Sequence, residues 1–340
     1  MGLTMIGLKP VIEVAIDGKP VSSVFYNLLV SATITDVFGN PEADSFEARF
    51  DDEGNRIEEP RIGAVVSVRM GYADLQLYKS GTFIVDKPPQ IEGGDGGEFL
   101  TVTARGADMR ADLKEPLSEH FDDPTVDKVF GELAKRHGLG LEISPSLKSL
   151  PLGDGKYLLR NGQSVHDFCT RIGDRIGAVY TYKDNKMLLV ARGTGSVSGS
   201  ALPAIRKHKS ECSNWTFTPD PRPQYGKVGT RWFDRKKGLY VPETAETGLE
   251  GPEWRLRHPY ASKDEAERAA KSEGERLSSE TAVGSVTFDG DPEAAAGADL
   301  ILSGFRASMS KTWLANEVRH EFAETYLSTV DFKVKKGGGT

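Results

Sequence analysis

Short segments in which apolar and polar residues alternate dominate the first hundred residues of this chain. Ser45–Phe50 and Val65–Gly71 both show the alternation clearly. Successive side chains of a strand point to opposite faces, so a period of two is typical of a strand that is buried on one face only. Turn-forming residues, such as those of Asp17–Pro20, separate the segments. We therefore predict a β-rich first unit over residues 1–106, folded as a barrel or a sandwich.

The middle of the chain changes to a helical pattern of apolar residues and then to a hairpin. Val126–Gly138 carries apolar residues at helical spacing and ends in a glycine stop signal. Ser164 is placed to cap a second helix, which closes at Gly177. Two short apolar strands follow, and a glycine- and serine-rich linker ends at Pro203. Residues 107–203 are therefore predicted to form a small α+β domain inserted between two β units.

Strand signals return in the last part of the chain, residues 204–340, which is predicted to be a second β unit. Ser262 and Glu265 have the spacing of a capping box, which predicts a helix over residues 262–281. Leu277 is its main large apolar residue, so we expect this helix to lie on the surface. The predicted fold class is β-rich α+β. The clearest strands of the second unit are Trp215–Phe217, Tyr225–Phe233, Ala282–Phe288, Asp299–Phe305, Trp313–Phe322 and Tyr326–Val334.

Composition and charge exclude several classes of protein. With 340 residues, of which 38 % are apolar and 27 % are charged, the chain is long enough for two or three soluble, folded domains. No run approaches the roughly eighteen apolar residues of a membrane span, so no stable membrane anchoring is expected. Met1–Pro10 carries only Lys9 as a charge and lacks the pattern of a signal peptide, which predicts folding in a cytoplasm. The net charge of −7 argues against a protein that grips nucleic acid.

A nucleophile with a neighbouring base is the first catalytic arrangement to consider. His166 and Asp167 lie close to Cys169 along the chain. Cys169, however, belongs to the apolar face of the predicted helix, whereas His166 points partly outward. Nucleophilic catalysis also requires a base that a third group orients, and no such arrangement is visible. We predict a buried, unreactive thiol at Cys169, and Cys212 shares neither a metal-ligand spacing nor a disulfide framework with it.

The sequence contains no motif for a metal or a cofactor either. His208, His258 and His320 lie in separate segments without the pairing that anchors a metal, and we expect them to be surface histidines. Gly93–Gly97 lacks the lysine and the following serine or threonine of a phosphate loop, and a hairpin turn explains it. The protein is therefore predicted not to be an enzyme, with no catalytic, cofactor-binding or metal-binding residues and no cofactor.

Basic and aromatic clusters in the last part of the chain have two interpretations. Arg206–Lys209 and Arg235–Lys237 are interpreted as solvated loops, with contact to a neighbouring acidic subunit as the alternative. Core packing is predicted for Trp215 and Trp313. Trp254 lies among glycine, proline and glutamate residues and is a better candidate for an interface anchor.

The order of these features resembles that of the phage late control protein D family, the tail and baseplate hub proteins of contractile-tailed phages and related contractile injection systems. The resemblance covers roughly residues 10–335 and is carried by several segments together. The most characteristic segment is Ser164–Arg192, where a hairpin follows a helix. The other matching features are Ala104–Arg110, Val126–Leu139, Trp215, Val228, Arg231–Trp232, Arg257–Tyr260, Leu302–Phe305, Trp313 and His320.

The resemblance implies a structural role with defined partners. It implies two tube-protein-like β domains in one chain, so that three copies present six similar domains to a sixfold tail tube and seat a threefold spike. The implied assembly is a homotrimer that contacts the tail tube protein, the central spike protein, baseplate wedge proteins and the tape-measure protein. DNA is implied only as cargo in the channel. The implied location is the virion tail baseplate, assembled in the bacterial host cytoplasm.

A second interpretation is a tail-associated peptidoglycan-binding or cell-wall-degrading protein. Leu159–Val165 is similar to the opening of a peptidoglycan-binding LysM module. The predicted hairpin after a single helix departs from the strand–helix–helix–strand order of that module. The hub therefore remains the first hypothesis.

Overall fold

Two β units share one sheet in the computed structural model of this chain. The structure describes residues 9–38, 44–94, 96–106, 113–153, 156–192, 194, 196–200, 202–219, 224–279 and 281–335. Within these ranges, the largest sheet contains fourteen strands. The predicted fold class is confirmed, because the chain is β-rich with sandwich-like sheets and a smaller α+β part. The features predicted for residues 1–8 and 107–110, and for parts of the glycine-rich linker, lie outside the described residues.

The first β unit buries alternate residues of its strands. Phe46, Ala48 and Phe50 are buried, whereas Glu47 between them is exposed. Its strand order in the sheet is β3-β4-β8-β6-β5-β1-β2, and β7 forms the predicted glycine-rich hairpin with β8. Its elements are β1 (Pro10–Ile16), β2 (Lys19–Pro20), α1 (Ser23–Leu28), β3 (Leu29–Val37), β4 (Ser45–Asp51), β5 (Val65–Tyr72), β6 (Tyr78–Val85), β7 (Gln90–Gly94) and β8 (Gly97–Arg105).

The inserted part contains two amphipathic helices and short strands. The predicted cap is confirmed, because Ser164 Oγ accepts a hydrogen bond from the Asp167 N–H at 3.0 Å. The predicted stop at Gly177 is also confirmed, where the chain turns left-handed with φ +73°. The elements are β9 (Leu117–Asp122), α2 (Val126–Arg136), β10 (Gly140–Ile143), β11 (Tyr157–Gln163), α3 (Val165–Ile176), β12 (Ala178–Lys183) and β13 (Lys186–Ala191).

The second β unit surrounds Trp313, whose predicted core position is confirmed. Its indole is fully buried and packs against Phe217 and Phe332, with ring centroids 5.4 and 4.9 Å away. The strands run in the order β15-β19-β22-β21, and β20 and β14 extend the sheet from β21. Their bounds are β14 (Ile205–His208), β15 (Cys212–Pro219), β19 (Ala282–Asp289), β20 (Asp299–Ser303), β21 (Thr312–Phe322) and β22 (Tyr326–Val334).

A ladder between β3 and β21 joins the two β units. The strands are antiparallel, and the register runs from Glu317 opposite Val37 to Phe322 opposite Ala32. Since β3 also pairs with β4 and β21 also pairs with β22, the hydrogen-bond ladder passes from one unit to the other without a break. Phe322 and Tyr326 of the second unit contribute to the core of the first. We call this pairing the β3–β21 joint.

A smaller sheet, β16 (Lys227–Asp234), β17 (Leu239–Glu246) and β18 (Glu253–Arg255), interrupts the second unit and packs on α4 (Lys263–Ser279). The predicted helix is present, but the prediction that it lies on the surface is wrong. Ala266, Ala269 and Ala270 are buried, and α4 contacts β16, β17 and α3. Small side chains allow close approach, so the Thr230 hydroxyl reaches the Ala266 carbonyl oxygen at 3.4 Å. An alanine face therefore makes this helix part of the interior.

His320 lies in a buried polar network beside the β3–β21 joint, and its predicted surface position is wrong. It is 2 % exposed, because the alternation of β21 places it on the same face as Val318. Its Nε2 lies 3.2 Å from the Ala294 carbonyl oxygen, and its Nδ1 lies 2.9 Å from Ser328 Oγ and 3.0 Å from Tyr326 Oη. Burial lowers the pKa of His320 to about 4, so the ring is neutral at pH 7.

Protonation of this network is expected to destabilise the fold. Because the pKa of His320 is about 4 in the folded chain and 6.5 ordinarily, the unfolded state binds the proton more readily. The stabilisation is complete above pH 6.5 and decreases as the pH falls toward 4, by about 3 kcal/mol from this group. Urea unfolding at a series of pH values measures this slope. H320Q should show a smaller slope, whereas H258Q, at an exposed histidine, should keep it. Equal slopes in H320Q and the natural chain would contradict the assignment.

Candidate channel-lining and assembly surfaces

The outer face of the large sheet, opposite the core, carries rows of polar side chains that cross both units. One row of directly paired residues runs through seven strands. The Thr287 and Thr329 hydroxyls in it lie 3.0 Å apart. Neighbours on one face of a sheet are close enough to interact, so the row forms a continuous hydrophilic strip. Its members, in spatial order, are Asn214, Thr287, Thr329, Arg319, Thr35, Ser45 and Arg105.

A second, parallel row on this face is acidic. Asp289, Glu321 and Glu47 are its three carboxylates, and all three are exposed. The β3–β21 joint lies between Glu321 and Glu47, so the acidic row continues from one unit into the other. The complete row, in spatial order, is Asp289, Leu327, Glu321, Thr33, Glu47 and Thr103. We call the two rows together the channel face.

Several cations on this side of the sheet, within the channel face or beside it, are neutralised by neighbouring carboxylates. Each guanidinium lies within 3.4 Å of a carboxylate oxygen, in the pairs Arg319–Glu317, Arg49–Glu92 and Arg105–Asp86. Exposed ion pairs of this kind contribute little to stability. Their effect here is electrostatic, because they leave the acidic row as the main source of charge on this face.

The outer edge of the second unit is a candidate assembly surface. β15 pairs with β19 on one side, and within the described part of the chain no strand pairs with its other side. Trp215 of β15 is 40 % exposed, so its predicted core position is wrong. Its ring packs edge-on against Phe305 at 5.7 Å, but the last strand of a sheet leaves a side chain covered on one side only. An exposed tryptophan on an unpaired edge is typical of a surface that another subunit covers.

An ion cluster fastens the inserted part to both β units. The Lys183 ammonium of β12 contacts the carboxylate of Asp36 and lies 3.2 Å from that of Asp44. The Ala296 N–H donates to Asp36 at 2.7 Å, and the Val37 N–H donates to Asp44 at 3.0 Å. Burial raises the pKa of Asp44 to about 7, against the opposing effect of Lys183. Burial acts to lower the pKa of Lys183, but the two carboxylates outweigh it and raise it. The ammonium therefore stays charged.

Removal of this ammonium is expected to destabilise the fold. K183M leaves two largely covered carboxylates without their cation, and we expect a loss of about 2–3 kcal/mol from the free energy of unfolding. Guanidinium unfolding at pH 8 measures the loss. K186M on the same hairpin is a matched control, because the Lys186–Glu142 pair is 46 % exposed at both side chains. Its midpoint should not change. A midpoint for K183M equal to that of the natural chain would show that the cluster does not fasten the domains.

The residues considered for nucleophilic catalysis serve other roles. Cys169 is fully buried, as predicted, and burial raises the pKa of its thiol to about 12. His166 is half-buried, burial lowers its pKa, and its ring lies 5.9 and 6.0 Å from those of Tyr180 and Tyr182. The Asp167 carboxylate accepts from the hydroxyl that caps α3 at 2.7 Å. A thiol that stays protonated is neither a nucleophile nor a metal ligand.

Most of the remaining predicted residues lie at the surface or in local turns. The prediction of a solvated loop at Arg206–Lys209 is wrong for its first three residues, which lie in strand β14, where Lys207 pairs with Asp291 at 3.0 Å. His208 and His258 are exposed, as predicted, and His208 Nδ1 accepts from the Ser210 N–H at 3.2 Å. Trp254 is exposed in part and packs against Tyr225, with ring centroids 5.0 Å apart. Within the described ranges, no group of three or more His, Cys, Asp and Glu side chains is placed to hold a metal ion. None of the helices that the structure describes has the length and apolar character of a membrane span.

The fold is that of phage tail proteins. The 43 kDa tail protein of prophage MuSo2 from Shewanella oneidensis superposes with a TM-score of 0.72 at 12 % identity, covering 96 % of this chain and 99 % of that one. The tail protein from Neisseria meningitidis MC58 superposes with a TM-score of 0.70 at 15 % identity, covering 96 % of each chain. At these identities the likeness establishes the fold alone.

The chain belongs to the phage tail baseplate hub (GPD) family, whose model matches residues 46–326. The probable baseplate hub protein of Escherichia phage 186 is 28 % identical over 376 aligned positions, covering 96 % of this chain and 94 % of that protein. The resemblance stated from the sequence is thereby confirmed. The protein is a structural hub subunit of a phage-type tail, and its place is the virion tail baseplate, among other tail components.

Proposed function

We propose that this hub is a homotrimer that adapts the sixfold tail tube to the threefold central spike. The observation that carries the proposal is the β3–β21 joint, which sets two β units of one chain side by side in one sheet. Three copies in a closed ring contain six such units. Six units match a sixfold tube on one side, while the ring itself keeps threefold symmetry toward the spike.

In this ring, each joint within a copy is followed by a joint between two neighbouring copies. The β3–β21 joint is the joint within a copy, and the free edge of β15 with Trp215 is one side of the joint between copies. Such a contact is heterologous, because it joins two different surfaces. The ring closes when three successive rotations complete a circle. Wedge and tape-measure proteins are the further neighbours in this arrangement.

The channel face lines the passage in this proposal. Its exposed carboxylates repel the phosphates of DNA, and its hydroxyl groups keep the wall hydrated. DNA therefore passes as cargo without being held. The protein acts through contacts with other proteins and through the charge of its channel wall, without a cofactor, a metal or a catalytic residue.

The trimer is tested by light scattering of the purified chain across a concentration series, alone and with its cognate spike protein. We expect a mass of three times 37.0 kDa. W215E places a charge at the proposed joint and should shift the chain toward the monomer, whereas L159E, at an exposed apolar residue of the inserted part, should not. A monomer at every concentration, with and without the spike, would overturn the proposal.

The channel face is tested by reversing its charge. The variant E47K/D289K/E321K should fold and assemble, because these side chains are exposed, but it should attract DNA. We expect infection by assembled particles to fall by about tenfold, since each added cation gains a phosphate contact. The neutral variant E47Q/D289N/E321Q is the control and should infect nearly as well as the natural chain. Normal infection by the lysine variant would place the channel elsewhere.

A further inference from the structure

The small sheet of β16, β17 and β18 has one face that no described element of the chain covers. α4 packs on its other face, where Thr230 and Val228 point. On the uncovered face, Phe233 and Tyr240 are 40 % and 54 % exposed. Single exposed apolar residues are common on soluble proteins. Two aromatic rings that pack on each other and are both exposed to solvent are less common, and such a pair indicates a contact surface.

The two rings form one compact platform. Phe233 and Tyr240 are directly opposite in the β16–β17 register, with centroids 5.2 Å apart in an edge-to-face arrangement. The Arg231 guanidinium lies 5.4 Å from the centroid of the Tyr240 ring on the same face. Aromatic and arginine side chains are the residues that contribute most to binding at protein interfaces.

A rigid basic turn borders this platform. Arg235, Lys236 and Lys237 form the turn between β16 and β17, and all three are exposed. The Asp234 carboxylate accepts from the N–H groups of Lys236 at 2.9 Å and of Lys237 at 3.2 Å, and Gly238 completes the turn with φ +65°. The backbone is therefore fixed before any partner binds, which reduces the entropy lost on binding.

At β17, a partner is expected to bind the face of the small sheet and not its edge. β17 is an edge strand of the small sheet, and Pro242 lies in its middle, opposite Arg231. A proline has no N–H to donate, so it prevents another strand from pairing along this edge. A partner at the β17 side of the sheet therefore lies across the side chains.

The geometry points to a docking site for an acidic surface of another tail protein. The site, which we call the hairpin face, consists of Arg231, Phe233, Arg235, Lys236, Lys237 and Tyr240. One cation, Arg231, lies beside the aromatic rings and three more lie in the adjoining turn, where Asp234 is the single carboxylate and lies 3.8 Å from Lys237. The complementary surface has an apolar centre with several carboxylates around it. Long-range attraction between the two charges would also speed their encounter during tail assembly.

Nucleic acid fits this face less well than a protein does. Stacking of successive bases requires open ring faces, whereas Tyr240 is flanked by both Phe233 and Arg231. Three of the cations lie together at one turn, whereas the cations at the opposite end of the face, Lys227 and Arg255, are paired with Glu246 and Glu253 at 3.2 Å. The described residues of this face therefore do not form a continuous basic groove that could follow the backbone of a strand.

A second copy of the chain is also a poorer occupant. A flat face meets the same face of another copy only across a twofold axis. The proposed threefold ring has no such axis, and its copies meet through the free edge of β15, which belongs to the large sheet and not to this small one. This step rests on that proposed function. The occupant is therefore a different protein of the tail.

The test places a photo-cross-linking phenylalanine analogue at Tyr240 in the full chain, in particles assembled with all other tail proteins. We expect a cross-link to another tail protein, within a peptide that carries several Asp and Glu residues. The same position in an R235E/K236E/K237E background should cross-link about tenfold less, because the cations are reversed. The matched control K87E/K148E/K271E makes the same change of charge at exposed lysines elsewhere and should cross-link normally.

The results of these experiments distinguish the proposed hairpin face from the proposed trimer. A cross-link to nucleic acid, to a second copy or to a peptide without carboxylates would overturn it, as would no cross-link above that of an unirradiated sample. The cross-link from Tyr240 in the otherwise natural chain does not depend on whether R235E/K236E/K237E folds. Thermal melting of R235E/K236E/K237E checks its fold. Light scattering of the purified variants, alone and with the cognate spike protein, reports the oligomeric state of the hub, so a failed trimer and an unoccupied hairpin face are distinguishable.

Discussion

The antiparallel ladder between β3 and β21 is the interaction on which the rest of the structure depends. It turns an exposed edge of each β unit into the interior of a shared sheet, and Phe322 and Tyr326 complete the core beneath it. Its register also decides which residues face outward. A slip of one residue would turn Phe322 out of the core and Glu321 into it, so the buried core and the acidic row fix the register together.

Local features of the fold could be predicted from the sequence because their causes are local. Period-two alternation located most strands, and Ser164 and Gly177 marked the ends of α3. Features that depend on the neighbours of a strand could not be predicted in this way. The sequence predicts Trp215 in the core, because nothing in it marks β15 as an edge. It predicts His320 at the surface when the residue is considered alone, but Val318, two residues earlier, has the same orientation, so the alternation of β21 is an available signal for burial.

The surfaces were the least predictable part for the same reason. Alternation shows that Glu47 and Glu321 point away from the core, but only the pairing of distant strands brings them into one row. The ion cluster of Lys183, Asp36 and Asp44 likewise joins residues from three regions of the chain. The burial of α4 could not be predicted, because hydrophobic patterning counts large side chains, whereas close packing on β16 uses alanine.

The wide sequence separation of β3 and β21 has a consequence for biosynthesis. Nearly the whole chain must leave the ribosome before Phe322 can complete the core that begins with β1. Until then, the edge of β3 has no partner and remains open to pairing with another nascent chain. Contacts between such distant segments also slow folding, because a long loop must close before they form. The β3–β21 joint, which unites the two β units in one sheet, therefore leaves the nascent chain open to aggregation for most of its synthesis.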